Sequence, residues 1–175
     1  MAFRQAGVIR YYGFDLFEQE AIFHSVITRQ NGISPSPWQS LNFGGTVGDD
    51  NKRVSENRKI VYQAFNLNGD CIFDVWQVHG DKVICTSAAR LASEPHQMAD
   101  AIITDQPSVM LLMLFADCVP ILLYDPIKRV VGVVHAGWKG TVLGVAAKTV
   151  NKMQLCYGSK HQNILAAIGP SIGAD

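Results

Sequence analysis

Apolar residues along this chain fall mainly in short continuous runs, separated by turns rich in glycine, proline, aspartate and asparagine. The runs that predict β-strands lie at 21–28, 71–78, 81–86, 101–104, 109–116, 121–124, 129–136 and 163–169. Most of the later runs are apolar at nearly every position, which is typical of strands buried on both faces. The pattern therefore predicts a sheet with helices packed against it.

Two further stretches carry apolar residues at helical spacing. The first covers about 51–66, with Asp50 before it as an N-cap candidate, and the second covers about 141–155, with Gly158 after it as a C-cap residue. Residues 30–50 are crowded with glycine, proline, serine and asparagine, and they predict a long irregular loop. A loop of that length inside a compact domain usually has a functional role or is partly mobile.

The composition fits a single domain spanning residues 1–175, with 48% hydrophobic residues, which excludes intrinsic disorder. Charged residues make up 17%, where about 25% is usual, so we expect some surface to be covered by a partner subunit or by further chain. A homodimer is compatible with this shortage. Lys plus Arg and Asp plus Glu both number 15, and this balance argues against nucleic acid as a partner.

The chain shows neither a signal peptide nor a membrane span by its sequence pattern. Its longest weakly charged stretch is 108–124, which is interrupted by Asp117 and Pro120 and is shorter than the roughly 20 residues that a bilayer requires. The four cysteines form no CxxC pair, and we expect reduced thiols and a cytoplasmic location. Because the sequence stops just after the run at 163–169, we also expect truncation at the C-terminal end.

Three side chains able to bind a metal lie at the ends of apolar strands beside sharp turns: His79, Cys118 and His135. Strand ends at one edge of a sheet are where sites of open α/β proteins assemble. Two imidazoles and a thiolate suit Zn²⁺ and leave a fourth position open. Their spacings of 39 and 17 residues match no short metal motif, so on spacing alone a buried thiol and ordinary core or turn histidines are the simpler explanation.

Other residues near these positions are candidates for binding an anion or transferring a proton. Gly137 and Lys139 lie where a strand enters a helix, which predicts either an anion site or a plain turn with a solvated lysine. Asp117 is a candidate proton carrier, with capping of the turn before Pro120 as the simpler role. Cys118 and His135 also permit metal-free catalysis, in which the thiolate attacks and the imidazole accepts a proton.

Two predicted substrate contacts lie earlier in the chain. Arg58 falls on the apolar face of the first helix, where it needs a partner and is either a structural tie or a ligand contact. Asn42, in the segment SLNFG at 40–44, is the second predicted contact. Trp76, Trp138 and Phe43 could stack on a flat ring, although core packing is the commoner role of such aromatics.

Several short segments of the chain occur in the order seen in the bacterial laccase-domain family, also called polyphenol-oxidase-like. They are TRQNGIS at 28–34, SLNFG at 40–44, VGDD and ENR within 47–58, QVHG at 77–80, ADCVP at 116–120, HAGWKG at 135–140 and IGPSIG at 168–173. Several motifs in order are far more specific than any single one. The chain resembles this family from His24 onward, and the resemblance favours the metal-site interpretation.

The resemblance implies an α+β fold with a mixed sheet between helices, and Zn²⁺ ligands at His79, Cys118 and His135. The activity it implies is phosphorolysis of adenosine, inosine, guanosine or methylthioadenosine, together with deamination of adenosine. Purine nucleoside and phosphate are then the expected small-molecule partners. Lys139 stands where the family more often has arginine, which keeps the charge but loses the bidentate fork. Family members also continue past IGPSIG, which leaves the activity of this 175-residue chain open.

Three alternatives remain beside the zinc enzyme. One is copper-dependent oxidation of phenols, because a His₂Cys set can bind copper, although five histidines are few for a multicopper oxidase. Another is a metal-free Cys–His hydrolase acting through Cys118 and His135. The last is a purely structural metal site with no open position.

Overall fold

In the computed structural model, which describes residues 2–173, the chain forms two compact units with their boundary between Gly69 and Asp70. The predicted single domain stays a prediction. None of the helices in the described residues is long and apolar enough to cross a membrane.

The first unit contains a small antiparallel sheet and two helices. Its elements are β1 (Ala2–Ala6), β2 (Ile9–Gly13), α1 (Asp15–Glu18), β3 (Val26–Ile27) and α2 (Asn51–Ala64), and the strands pair in the order β1-β2-β3. The predicted first helix is confirmed as α2, which begins after Asp50, whose side chain accepts a hydrogen bond from the backbone N–H of Lys52. The sequence pattern missed the β1–β2 hairpin.

The strand predicted at 21–28 is wrong except for Val26–Ile27. The backbone N–H of Phe14 donates to Nε2 of His24, and Nδ1 of the same ring lies 2.9 Å from the carbonyl oxygen of Ile22. These local bonds fold the chain back on itself before it reaches the short strand.

The predicted loop at 30–50 is confirmed, and buried polar side chains hold it in place. Asn57, on α2 and fully buried, donates to the carbonyl oxygen of Asn42 and to Oγ of Ser34, and it accepts a bond from the N–H of Ile33. Asp49 accepts hydrogen bonds from Ser34, Asn42 and Arg53. Burial acts to raise the pKa of Asp49, but these bonds outweigh it and lower that pKa to about 2.

The second unit is built on a five-stranded mixed sheet in the order β10-β8-β9-β6-β5, with a separate parallel pair β4–β7. Its elements are β4 (Ile72–Asp74), β5 (Val83–Cys85), β6 (Ala101–Thr104), β7 (Met110–Leu112), β8 (Val119–Asp125), β9 (Val130–Ala136), α3 (Trp138–Val142), α4 (Val145–Tyr157) and β10 (Leu165–Ile168), with a 3₁₀ turn at His161–Asn163. Another 3₁₀ turn, Gly69–Cys71, begins at the last residue of the first unit. The predicted α+β fold with a mixed sheet is confirmed.

The two faces of this sheet are covered differently. Apolar side chains alternate along the strands, so Val134 packs toward Met153 of α4, whereas its neighbour Val133 packs on the opposite face with Phe73 of β4. Within residues 70–173 a helix therefore covers one face and the strand pair β4–β7 covers the other. The expected helices on both faces are not found in this part of the chain.

The strands predicted at 71–78 and 109–116 are each reduced to three residues, because hydrogen bonds from a side chain take the place of further strand pairing. Beyond β4 and β7, the amide of Gln77 donates to the carbonyl oxygen of Leu114 and accepts from its N–H, at 2.7 and 2.8 Å. The helix predicted at 141–155 is also corrected, since it is broken into α3 and α4 at Gly144, whose φ is +76°. Gly158 ends α4 in the left-handed conformation, as predicted.

Candidate metal centre

The three predicted ligands converge at one end of the sheet in the second unit. The ligand atoms of His79, Cys118 and His135 all lie within 4.8 Å of one another, and in the described residues 2–173 this is the one group of its kind. Bonds of about 2.1 Å to nitrogen and 2.3 Å to sulfur place the ligand atoms of a tetrahedral site roughly 3.5 Å apart. The arrangement is therefore close to that of a bound ion and needs only small side-chain adjustments.

The sheet topology explains why residues far apart in sequence meet here. Antiparallel pairing sets Val119 opposite Ala136, and Pro120 opposite His135. Cys118, immediately before β8, is thereby carried to the end of β9. Asp117 beside it has a φ of +74°, which turns the chain sharply into the strand.

His79 reaches the same place from a tight turn. Its φ is +58°, a conformation that non-glycine residues rarely adopt without local support. The support comes from Asp100, a fully buried residue directly before β6. The carboxylate of Asp100 accepts hydrogen bonds from the backbone N–H groups of Val78, His79 and Gly80 at 3.2, 2.9 and 2.7 Å.

Asp100 also contacts His135, on the neighbouring strand β9. Oδ1 of Asp100 lies 2.8 Å from Nδ1 of His135, and the N–H of His135 donates to the carbonyl oxygen of Asp100 at 2.8 Å. Burial acts to raise the pKa of Asp100, but the hydrogen bonds from His135 and the turn outweigh it and lower that pKa. One carboxylate thus touches the segments of two of the three ligands.

The ligands have room to come together because Gly137 and Gly140 have no side chains. A Cβ on Gly137 would lie 3.0 Å from Cδ2 of His79 and 3.1 Å from Sγ of Cys118. A Cβ on Gly140 would come within 2.8 Å of the carbonyl oxygen of Gly80. Side chains at these positions would push against the ligands or their turn.

The site is open to solvent on one side. His79 is exposed and Cys118 is half-buried, whereas His135 is buried, with the ring of Phe115 at 5.6 Å. The side chain of Trp138, which follows Gly137, is 80% exposed. Three protein ligands with an exposed face are typical of a catalytic site that keeps a position for water or substrate.

The other predicted site residues are placed as follows. Lys139 is exposed on α3, one turn from the ligands in sequence. Asp117 is exposed, and its carboxylate makes no hydrogen bond to the residues that the structure describes. The predicted capping of the turn before Pro120 is therefore not seen. Both residues stay predictions as catalytic or phosphate-binding groups.

Arg58 and Asn42 belong to the first unit. Nη2 of Arg58 donates to the carbonyl oxygen of Phe43 at 2.8 Å, while its buried Nε has no partner among the described residues. Asn42 donates to Gly44 and Asp49. Both side chains take part in holding the loop at 30–50, and their roles as substrate contacts stay predictions.

Sequence reasoning missed Asp100. In the sequence it is a single aspartate directly before the apolar run at 101–104. An aspartate at the end of a strand is ordinarily interpreted as a charge exposed to solvent. Only the pairing of β6 with β9, which sets residue 100 beside His135, shows what the carboxylate does.

The chain matches one family model and is similar in sequence to several known proteins. A family model described as multi-copper polyphenol oxidoreductase laccase matches residues 23–175. The protein named purine nucleoside phosphorylase YlmD of Bacillus subtilis is 38% identical over 151 residues, covering 83% of this chain and 54% of that protein. Purine nucleoside phosphorylase YfiH of Shigella flexneri is 39% identical over 150 residues, covering 83% and 57%. The chain thus spans little more than half the length of these relatives.

A solved structure shows the same fold. The crystal structure of the Bacillus licheniformis hypothetical protein YfiH matches with a TM-score of 0.86 and 34% sequence identity, covering 98% of this chain and 65% of that one.

Proposed function

Because the chain belongs to the family of multi-copper polyphenol oxidoreductase laccases and is similar to purine nucleoside phosphorylases, we propose that it carries a zinc site for the phosphorolysis of purine nucleosides. The observation that carries the proposal is the convergence of His79, Cys118 and His135 within 4.8 Å. Deamination of adenosine at the same site is part of the proposal.

Zinc is the metal that we propose for this donor set. Two imidazoles and one thiolate, with an exposed side, fit the ligands of catalytic zinc sites. Zinc bound there would supply Lewis-acid polarisation of a substrate or water oxygen. The residues of the chain would bind and orient the substrate around it.

The exposed side of the site would admit the nucleoside. We propose that the base packs on the exposed ring of Trp138, and that Lys139 with the backbone at Gly137 holds phosphate. Arg58 and Asn42 remain proposed substrate contacts. Lysine in place of arginine presents a point charge, so phosphate would be held by fewer fixed bonds.

The reaction balances with no further co-reactant. The bond between C1′ and the base nitrogen breaks, a phosphate oxygen forms the new bond to C1′, and the leaving nitrogen takes up a proton. We propose Asp117 for the transfer of that proton, because its exposed carboxyl group makes no hydrogen bond within the described residues. For deamination, a water oxygen replaces the amino group at C6 and ammonia leaves.

The test is a product assay with and without metal. Purified protein is incubated with adenosine or inosine and phosphate, and adenine, hypoxanthine and inosine are separated by chromatography. We expect base release that a chelator abolishes and added zinc restores. Cys118→Ala is expected to abolish both activity and bound zinc, whereas His161→Ala, at an exposed histidine outside the site, retains both. Zinc-loaded protein that releases no base and forms no inosine would overturn the proposal.

A metal-free hydrolase is the second candidate, and one contact favours it. Nδ1 of His135 lies 2.8 Å from the buried carboxylate of Asp100, so Cys118, His135 and Asp100 have the order of nucleophile, base and orienting acid. This candidate requires ester or amide hydrolysis that chelators leave untouched. It also requires that zinc does not slow alkylation of Cys118 at neutral pH.

Copper oxidation of phenols is favoured by the description of the matched family. The described residues hold one His₂Cys group and no second cluster of three or more His, Cys, Asp or Glu ligands. A single copper of the blue type is therefore the most that these residues support. A strong visible band after copper loading, with oxygen uptake on a phenol, is the required result.

A further inference from the structure

Asp100 is a carboxylate with all its acceptor positions in use. Oδ1 receives the N–H of His79 and faces Nδ1 of His135, and Oδ2 receives the N–H groups of Val78 and Gly80. The side chain is fully buried, so water does not compete for these bonds. Three of the four contacts therefore belong to the turn of His79, and the fourth belongs to the ring of His135.

We propose that Asp100 is a positioning residue that prepares His79 and His135 to bind the metal. The inference rests on the proposed function, because it takes these residues as ligands. A carboxylate only accepts hydrogen bonds, so Nδ1 of His135 must carry the proton that it shares with Asp100. The lone pair of His135 then lies on Nε2, the nitrogen left for the metal.

The same carboxylate fixes His79 through its backbone. Bonds to three successive N–H groups hold the turn in which His79 has its left-handed conformation. Without them the turn would relax toward a more common conformation and carry the imidazole away from Cys118. Asp100 therefore acts on one ligand through its ring and on the other through its main chain.

Asp100→Asn is therefore an informative substitution, because it tests these hydrogen bonds at nearly constant side-chain size. An amide that turns its NH₂ group toward His135 donates to Nδ1, which moves the ring proton to Nε2 and blocks the metal-binding nitrogen. An amide turned the other way meets the N–H groups of Val78 and Gly80 and loses both bonds. Neither orientation of the asparagine amide restores all the hydrogen bonds of the Asp100 carboxylate, although the two side chains have nearly the same size.

The control is the same substitution at another buried carboxylate. Asp125 is fully buried at the far end of β8 from Cys118, and its Oδ1 accepts bonds from the N–H groups of Ile127 and Lys128. Asp125→Asn therefore perturbs a buried turn of similar type without touching a ligand.

Zinc affinity is measured for the whole chain by competition with a chromophoric chelator, and folding of each variant is checked by its metal-free melting temperature. We expect Asp100→Asn to bind zinc about 10- to 100-fold more weakly than the wild type. Asp125→Asn is expected to keep the wild-type affinity. Unchanged zinc affinity in a folded Asp100→Asn variant would overturn the inference.

A second readout does not depend on metal or on a variant. Nitrogen-15 spectra of the histidine rings in the metal-free wild type are expected to show His135 with its proton on Nδ1. A proton on Nε2 would overturn the inference even where Asp100→Asn fails to fold. A wild type that shows the expected tautomer but binds no zinc would instead remove the proposed function and leave the contact with Asp100 intact.

Discussion

The carbonyl oxygen of Gly80 occupies the space that a side chain on Gly140 would need, since a Cβ there would lie 2.8 Å away. Gly80 follows His79, so the start of α3 is packed directly against the ligand turn. Gly140→Ala must push these two backbones apart, and we expect it to lower the melting temperature and to weaken zinc binding at least several-fold.

A second glycine provides the comparison for Gly140. Gly144 has open space where its Cβ would be but a φ of +76°, so Gly144→Ala costs stability through backbone strain, about 1 kcal/mol. We expect it to leave zinc affinity unchanged. Equal loss of zinc affinity in both variants would show that general destabilisation, and not the contact with Gly80, weakens the site.

Cys85 on β5 and Cys156 on α4 are expected to form a disulfide on treatment with hydrogen peroxide. Their sulfur atoms lie 2.9 Å apart, and both thiols are free. Burial and the contact with Cys156 raise the pKa of Cys85 to about 12. Cys156 is the exposed member of the pair, so we expect peroxide to oxidise Cys156 first and Cys85 then to displace water from the oxidised sulfur. Two thiols and one peroxide give one disulfide and two waters.

The disulfide is detected as a linked peptide by mass spectrometry after digestion. Closing a loop of this length is expected to stabilise the fold by up to about 4 kcal/mol, measured as a higher denaturant midpoint. Cys156→Ser removes both the linked peptide and the shift. Recovery of both cysteines in alkylated form after oxidation would contradict the prediction.

Asp49 is expected to make the protein sensitive to acid. Its pKa in the folded state is about 2, below its ordinary 3.8, so its contribution to stability is present above about pH 4 and is lost as the pH falls toward 2. We expect the free energy of unfolding to fall less steeply across this range in Asp49→Asn than in the wild type. Ser34→Ala, which removes one of the donors, should give an intermediate slope, and three identical slopes would refute the assignment.

Asn57 is expected to control the order of the loop at 30–50. Asn57→Ala leaves the N–H of Ile33 and the carbonyl oxygen of Asn42 without their partner in a buried place. The expected cost is about 3 kcal/mol in the free energy of unfolding, with faster proteolytic cleavage inside the loop. Lys59→Ala on the exposed side of α2 is the control, and similar cleavage rates in both variants would count against this role.

The elements that the sequence predicted best are those whose local pattern agrees with their packing. Ala101–Thr104 is buried at every position, and the apolar run has the bounds of the strand. The run at 109–116 looks just as apolar but pairs over Met110–Leu112, because Gln77 takes up the backbone of Leu114. Strand pairing that is replaced by hydrogen bonds from a side chain distant in sequence cannot be recognised in the local sequence.

The candidate site was predictable only in part. His79, Cys118 and His135 each stand beside a turn, but their spacing follows from strand order, so the family motifs were needed to join them. The break at Gly144 could have been read from the glycine itself, whose positive φ ends one helix before the next begins. The role of Asp100 depends on cross-strand pairing and could not be read from its position.

The ligands of the proposed site come from three segments that lie 39 and 17 residues apart along the chain. An ion held by all three would act as a reversible cross-link, because it closes two large loops whose freedom the unfolded chain would otherwise regain. Folding and zinc concentration would then be coupled, so the melting temperature should rise with free zinc by mass action. The concentration of free zinc in the cell would then control the stability of the folded chain as well as its activity.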